Sequence, residues 1–219
     1  MIQSFKTIKH NNCEEIEEKK SKFIANLMYV ESEEEVQNRI KEIKKKYYDA
    51  RHNCFAYRII EGENIVQRSS DDGEPSGTAG APILNILEKN NMVNILVVVT
   101  RYFGGILLGT GGLVKAYSEA TLKSIENNQI VERENGYEVR ISSPYAYIKK
   151  IEYFLKTNNI KILNKEFLDN VNILVELSNE DYKKITQELP KNVMQNLEIN
   201  IEKKRFISKK VREWIVWEK

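Results

Sequence analysis

At 219 residues the chain has room for one large domain or two small ones. Its 41% hydrophobic content supports a buried core and its 30% charged content a solvated surface, which together exclude a disordered chain and indicate a soluble globular protein. The formal net charge of +2 divides into 18 basic against 19 acidic residues over 1–133 and 16 against 13 over 134–219, so any contact with RNA has to come from local patches.

The N-terminal stretch MIQSFKTIKHNNCEEIEEKK has no apolar leader, and no run in the chain reaches the ~18 apolar residues of a membrane span. The expected location is the cytoplasm, with no membrane partner. Cys13 and Cys54 stand 41 positions apart without a CxxC, which removes the usual zinc frameworks and any reason for a disulfide. No metal and no cofactor is expected.

In chain order, Phe5 to Val30 shows alternating segments that read as edge strands bordering a charged turn, EEIEEKK. Ser32 followed by Glu35 is a capping box, and Val36, Ile40, Ile43 and Tyr47 put an apolar stripe on a helix of about four turns. Asn53 to Ile60 and Ile65 to Gln67, separated by Glu61-Gly62-Glu63-Asn64, read as a hairpin. Ser76 or Thr78 can cap a helix carrying Ile83, Leu84 and Leu87. Ile95 to Val99, apolar on both alternations, suits a central strand covered on both faces. Thr110 can cap a further helix through about Glu126.

The pattern resets over Glu132 to Gly136, where a linker between domains is expected. Beyond it, strands at Tyr137 to Ile141, Ile160 to Phe167, Val171 to Leu177 and Leu197 to Phe206 alternate with helices from Ser143 to Thr157 and from Ser178 to Leu189. Two helices on one face of a four-stranded antiparallel sheet is the ferredoxin-like plan. The last residues, SKKVREWIVWEK, extend past that plan; Val211, Trp214 and Ile215 would share one side of a short helix.

Chemistry concentrates between Arg68 and Tyr117. Eight of the 10 glycines lie between Gly73 and Gly112, where polar side chains also crowd. GGILLGTGG (104–112) opening a helix could bind an anion at the helix N-terminus, although the Walker spacing fails at Thr110 and the GxGxxG spacing fails at Val114. Asp71, Asp72 and Glu74, with Ser76 and Thr78 in the same loop, admit three readings. They form a charge-stabilised turn paired with Arg51, Arg68 or Arg101, a Mg²⁺ site, or a catalytic centre with His52. His52 and Cys54 share one face of a strand, as a satisfied strand histidine or as a Cys–His pair. Arg101-Tyr102-Phe103 could stack bases while the guanidinium meets phosphate, or could place Phe103 in the core and Arg101 against Asp71 or Asp72.

Gly80, Ile83-Leu84, Leu87, Met92, Val98-Val99, Arg101, Tyr102-Phe103, Gly104-Gly105, Leu108 and Gly109, with SDDGEPSGTAG (70–80) and RHNCFAYRI (51–59) upstream, resemble the signature of the Impact family, whose bacterial branch is the YigZ-like proteins. The resemblance runs to about Phe206 and implies an α+β fold of two domains. Residues 1–133 would form a domain like a ribosomal protein or domain IV of elongation factor G, with a left-handed βαβ crossover. Residues 137–206 would form the ferredoxin-like domain, and 207–219 an extension. It also implies a translation-associated regulatory role, with RNA, the ribosome or a translation factor as partner, and no defined enzymatic reaction. The RNA or anion contact is expected at Arg51, Arg68, Arg101, Tyr102, Gly104, Gly105, Gly109, Thr110 and Lys115. The rival expectation is an enzyme acting on a phosphorylated small molecule with Asp71 or Asp72 and His52.

Overall fold

A computed structural model describes residues 4–208. The chain divides into two compact units, one through Glu132 and one from Arg133. They meet inside a single strand, β7 (Ile130–Ser143), so the residues where the pattern resets are paired backbone and not a linker. The physical reason is that Arg133 to Gly136 take partners in the last strand, from Ser208 to Arg205.

The first unit contains β1 (Ser4–Ile8), β2 (Asn12–Glu18), β3 (Ser21–Tyr29), α1 (Glu33–Lys46), β4 (His52–Glu61), β5 (Asn64–Ser70), α2 (Gly80–Lys89), β6 (Ile95–Tyr102) and α3 (Gly109–Glu126). Its main sheet has the order β2-β3-β6-β4-β5, antiparallel throughout. β6 is central and buried along nearly its whole length, as its two-sided apolar run predicts. Two expectations at the N-terminal end fail. The glutamates of EEIEEKK belong to strand β2, with Ile16 packed on the core and the glutamates at 15 and 17 turned outward. The turn shrinks to Lys19-Lys20, and β3 is an interior strand.

Side-chain alternation along the sheet sends its two faces to different helices. Ile95, Val97 and Val99 of β6 join Phe23, Ala25, Leu27, Cys54 and Ala56 beneath α2 and α3. Leu96 and Val98 join Met28, Tyr57 and Ile59 beneath α1, which contributes Val36, Ile40 and Ile43. The Ser32 hydroxyl caps α1 by accepting from the Glu35 N–H at 3.2 Å, while the Glu35 carboxylate reaches the N–H of Glu31 and not that of Ser32.

The face assignment determines handedness. β3 and β4 are parallel with β6 between them, and β5 and β6 are parallel with β4 between them. The two crossovers therefore run in opposite directions along the sheet, from strands that point in opposite directions. Such a pair shares one hand only if both helices lie on one face. Here α1 and α2 lie on opposite faces, so one crossover is left-handed, against the general preference.

The second unit comprises β7, α4 (Ile148–Thr157, preceded by a 3-10 turn at Tyr145–Tyr147), β8 (Lys161–Phe167), β9 (Val171–Ser178), α5 (Asn179–Glu188), α6 (Lys191–Met194) and β10 (Glu198–Ser208). Its strands run β10-β7-β9-β8, all pairs antiparallel. α4 and α5 both pack on the face bearing Val139, Ile141, Ile173 and Val175. This is the ferredoxin-like arrangement, and its two crossovers share one hand. The fold is thus α+β in two units. β10 runs two residues beyond Phe206, and the expected packing of Val211, Trp214 and Ile215 lies outside the described residues.

Candidate functional site

Strand β5 ends at Ser70 and α2 begins at Gly80, so the loop from Asp71 to Ala79 has to cross the end of the sheet. Its three carboxylates go to three different neighbours. Asp71 turns back on α2: Oδ2 accepts from the N–H of Gly77 at 2.8 Å, and Oδ1 from those of Ala79 at 3.0 Å and Gly80 at 2.8 Å. A helix N-terminus leaves such donors without internal partners, so Asp71 does the capping expected of Ser76 or Thr78. The Thr78 hydroxyl donates to the Pro75 carbonyl at 2.6 Å instead, and Ser76 is exposed. Burial alone would raise the Asp71 carboxyl, but the N–H donors of Gly77, Gly80 and Ala79 outweigh it and hold the pKa below the usual carboxylate value. Position 80 has to be glycine, because a Cβ there would lie 2.7 Å from the backbone nitrogen of Ser70.

Asp72 points to the α1 side. Its carboxylate accepts from Lys44 Nζ at 2.7 Å and from the N–H of Asn53 at 2.7 Å. Its carbonyl lies 2.9 Å from His52 Nδ1, a contact that needs the proton on Nδ1, and the Asp71 carbonyl accepts from the Cys54 thiol at 2.9 Å. His52 and Cys54 do share a face, and both hold the backbone of this loop. Burial first, then the nearby carboxylates, push the Cys54 thiol up to about 12, so it is not the nucleophile of a Cys–His pair.

Glu74 enters the core. Its Oε1 accepts from Arg101 Nη1 at 2.7 Å and from the Tyr117 hydroxyl at 2.9 Å, with the Glu74 and Arg101 side chains 3% and 8% exposed. Glu74, rather than Asp71 or Asp72, is therefore the partner of Arg101. The guanidinium carbon lies 5.5 Å from the Phe23 ring centre and 5.8 Å from that of Phe103, and Tyr117 meets Phe23 edge-on at 5.1 Å. Burial above all pushes the Tyr117 hydroxyl far above its ordinary value, assisted by Cys54 and Glu74. The loop and the segment after β6 are thus joined at Glu74, Arg101 and Tyr117.

Three carboxylates aimed at the α2 N-terminus, at Lys44 and at Arg101 do not converge on one ion. Among the described residues no group of three or more His, Cys, Asp or Glu is placed to hold a metal. Asp71, Asp72 and His52 are each engaged with backbone or with Lys44, and a catalytic centre built from them is not favoured.

The segment after β6 has the opposite character. α3 starts at Gly109, with Leu108 at its N-cap, no capping side chain and no acid in the first turn. Thr110 lies inside the helix and does not cap it. Gly105, Gly109, Thr110 and Lys115 are exposed. Phe103 is 55% exposed, Ile106 44% and Leu107 83%, so Phe103 is not core and the loop tip is apolar in water. The Gly104 N–H donates to Ser21 Oγ at 3.1 Å, and a Cβ at position 104 would lie 2.0 Å from the carbonyl carbon of Lys20. The root of this loop therefore rests on the β2–β3 turn, where exposed Lys19 and Lys20 both take positive φ, 46° and 64°. Those two cations were missed by the sequence reading. Their signal was a basic pair between two alternating segments, obscured by reading the turn as seven residues long.

The other expected anion contacts do not converge in one cleft. Arg51 is exposed just before β4, and Arg68 pairs with Glu33 of α1 at 3.3 Å rather than with the acidic loop. Tyr102 follows Arg101 on a strand and so faces the other way. It donates to Asp49 at 2.7 Å, a bond that pushes its pKa up to about 12. Arg101 and Tyr102 consequently offer no common stacking surface. No helix among the described residues is long and apolar enough to cross a membrane.

A first unit with a strapped loop across its sheet end and a glycine-bounded loop after its central strand, followed in the chain by a ferredoxin-like unit, defines a class of two-unit α+β protein. The family model of the Impact N-terminal domain matches residues 19–125, and that of a domain of unknown function (DUF1949) matches 141–191. The IMPACT family member YvyE of Bacillus subtilis (strain 168) is 41% identical over 171 residues, 78% of each chain. A Protein IMPACT homolog of Dictyostelium discoideum is 48% identical over 97 residues, 43% of this chain and 28% of that protein. A crystal structure of a hypothetical protein superposes with a TM-score of 0.61 at 30% identity, covering 93% of this chain and 99% of the other. The chain belongs to the IMPACT family and is YigZ-like, carrying both the Impact N-terminal domain and the second, DUF1949 domain.

Proposed function

We propose that this protein regulates translation in the cytoplasm by contacting RNA or the translation machinery through the loop from Phe103 to Gly109, the N-terminus of α3 and the adjoining Lys19-Lys20 turn. Family membership supports the translational role, since that is what the family resemblance implies. The observation that carries the choice of surface is the loop itself, with Phe103, Ile106 and Leu107 held in water, next to two cations with no ion-pair partner among the described residues. Of the residues first expected to meet phosphate, Gly104, Gly105, Gly109 and Thr110 lie in this segment, and Lys115 lies further along α3. Arg101 supports it from below by packing against Phe103.

The test is binding of a labelled single-stranded RNA at ~50 mM salt, followed as salt is raised. Each neutralised phosphate releases counterions, so affinity should fall steeply with salt. Replacing Lys19-Lys20 with Asn-Gly keeps a two-residue turn with positive φ while removing both charges. This double variant should reduce the salt slope by about two units and leave the fold intact. Absence of RNA binding at ~50 mM salt by the wild-type protein would overturn the RNA contact. A lysate pull-down that retains ribosomal proteins after RNase treatment would then reassign the loop to a protein component of the translation machinery.

A further inference from the structure

The second unit carries a surface that the proposed RNA contact does not use. α4 turns Ile151 and Leu155 into the core, and on its adjoining flank Lys149, Lys150, Tyr153 and Phe154 stand at the i, i+1, i+4, i+5 spacing of one helix side. With Leu189 and Pro190, which lead from α5 into α6, they line a groove of about 400 Å³. Its apolar lining comes from Phe154, Leu189 and Pro190, with hardly a polar atom facing inward. Tyr153 is 73% exposed at the rim.

The two lysines that line this groove carry uncompensated charge. The single acid of α4, Glu152, is held by Lys165, and neither Lys149 nor Lys150 has an ion-pair partner among the described residues. The opposite face of the same sheet is built the other way. There Arg140 pairs with Glu202 and Glu166, and Arg205 with Glu138 and Glu176. That face pairs its arginines within the sheet, while the helix face leaves two cations, a tyrosine and an apolar groove without internal partners among the described residues. Such a set, aromatic and apolar at the centre and charged at the rim, is the composition of a protein-binding surface.

We propose that this groove docks an acidic peptide segment of a partner protein. One bulky apolar side chain of the segment seats against Phe154 and Leu189, and flanking carboxylates meet Lys149 and Lys150. A nucleic-acid base would leave its hydrogen-bonding edge against Leu189 and Pro190, where nothing answers it. A membrane surface favours a protruding apolar element over a concave one. The peptide class therefore fits where RNA and lipid do not.

The experiment uses the full chain and a fluorescein-labelled peptide with a single Phe flanked by Glu and Asp residues, read by fluorescence anisotropy. Two controls replace the Phe with Ala and the acids with Lys. The acidic Phe peptide should bind at least tenfold more tightly than either control and should weaken as salt rises. Lys149→Glu with Lys150→Glu should cost a further tenfold or more, and Tyr153→Ala should weaken binding through contact area alone. All three positions are exposed, so circular dichroism should show unchanged melting. The proposal is overturned if the acidic Phe peptide binds no better than the controls, or if its binding is indifferent to the double charge reversal. It is equally overturned if the reversal abolishes binding of an RNA oligonucleotide or of phosphatidylglycerol vesicles while the peptide remains unbound. RNA binding through the 103–109 loop should be the same in all these variants, so the two readings fail separately.

Discussion

The two loops of the first unit, 71–79 and 103–108, look alike as sequence, since both are rich in glycine and both precede a helix. They differ in what their side chains do. In the first, Asp71, Asp72 and Glu74 each reach inward, to a helix N-terminus, to Lys44 and to Arg101, and the backbone is held by His52 and Cys54. In the second, Ile106 and Leu107 reach outward and no side chain caps the helix that follows. A polar loop is therefore the structural part here and an apolar loop the exposed one. Polarity marks a site only where the polar groups lack partners within the fold.

The sharpest way to break this comparison is at Glu74. Glu74→Ala should destabilise the protein by about 3–5 kcal/mol, because removing one partner leaves the Arg101 charge buried and unpaired. The double replacement Glu74→Leu with Arg101→Met should cost clearly less than the sum of the single changes. Thermal denaturation reads both. A Glu74→Ala melting temperature equal to wild type would mean that the strap is dispensable.

A smaller effect is expected at Asp71, and it depends on pH. Its folded-state pKa is lowered from an unfolded value near 3.9, so the ionised carboxylate adds stability that is complete above about pH 5 and is lost as pH falls through the folded pKa. Asp71→Asn should cost about 1 kcal/mol at pH 7, as loss of a cap does, and should flatten this part of the acid limb. Melting curves from pH 6 to pH 2 compare the two proteins. The smallest effect belongs to the exposed loop, where Leu107→Ser should change stability by no more than about 0.5 kcal/mol while weakening whatever the loop binds. A loss as large as that of Glu74→Ala would show that Leu107 is packed and the contrast between the loops is false.

Most of the fold was legible because its signals are periodic. The two-sided apolar run at Ile95 to Val99, the stripe of Val36, Ile40 and Ile43, and the strand–helix alternation after Tyr137 each state a burial pattern directly. What was not legible depends on contacts between positions far apart in the chain. Asp71 capping α2 from eight and nine residues away cannot be told from Ser76 or Thr78 doing so, since all are good capping residues. That Glu74, and not Asp71 or Asp72, meets Arg101 follows from which way a nine-residue loop turns. The separation of Arg101 from Tyr102 was predictable from strand alternation alone, had β6 been extended past Val99.

The place of β6 bears on how the protein is made. It pairs with β3 on one side and β4 on the other, yet it follows both in the chain, after β5 and α2 have already been synthesised. A nascent chain ending at Asn94 therefore has β3 and β4 in hand with the strand between them missing. Each presents a free edge and an apolar face to the crowded mouth of the ribosome. Closure of this sheet is a late, long-range event in translation, and it waits for the residue at 102 to clear the exit tunnel. A purified fragment ending at residue 94 should accordingly expose its sheet edges and aggregate, whereas one ending at residue 132, with its β6 and α3 complete, should resist protease.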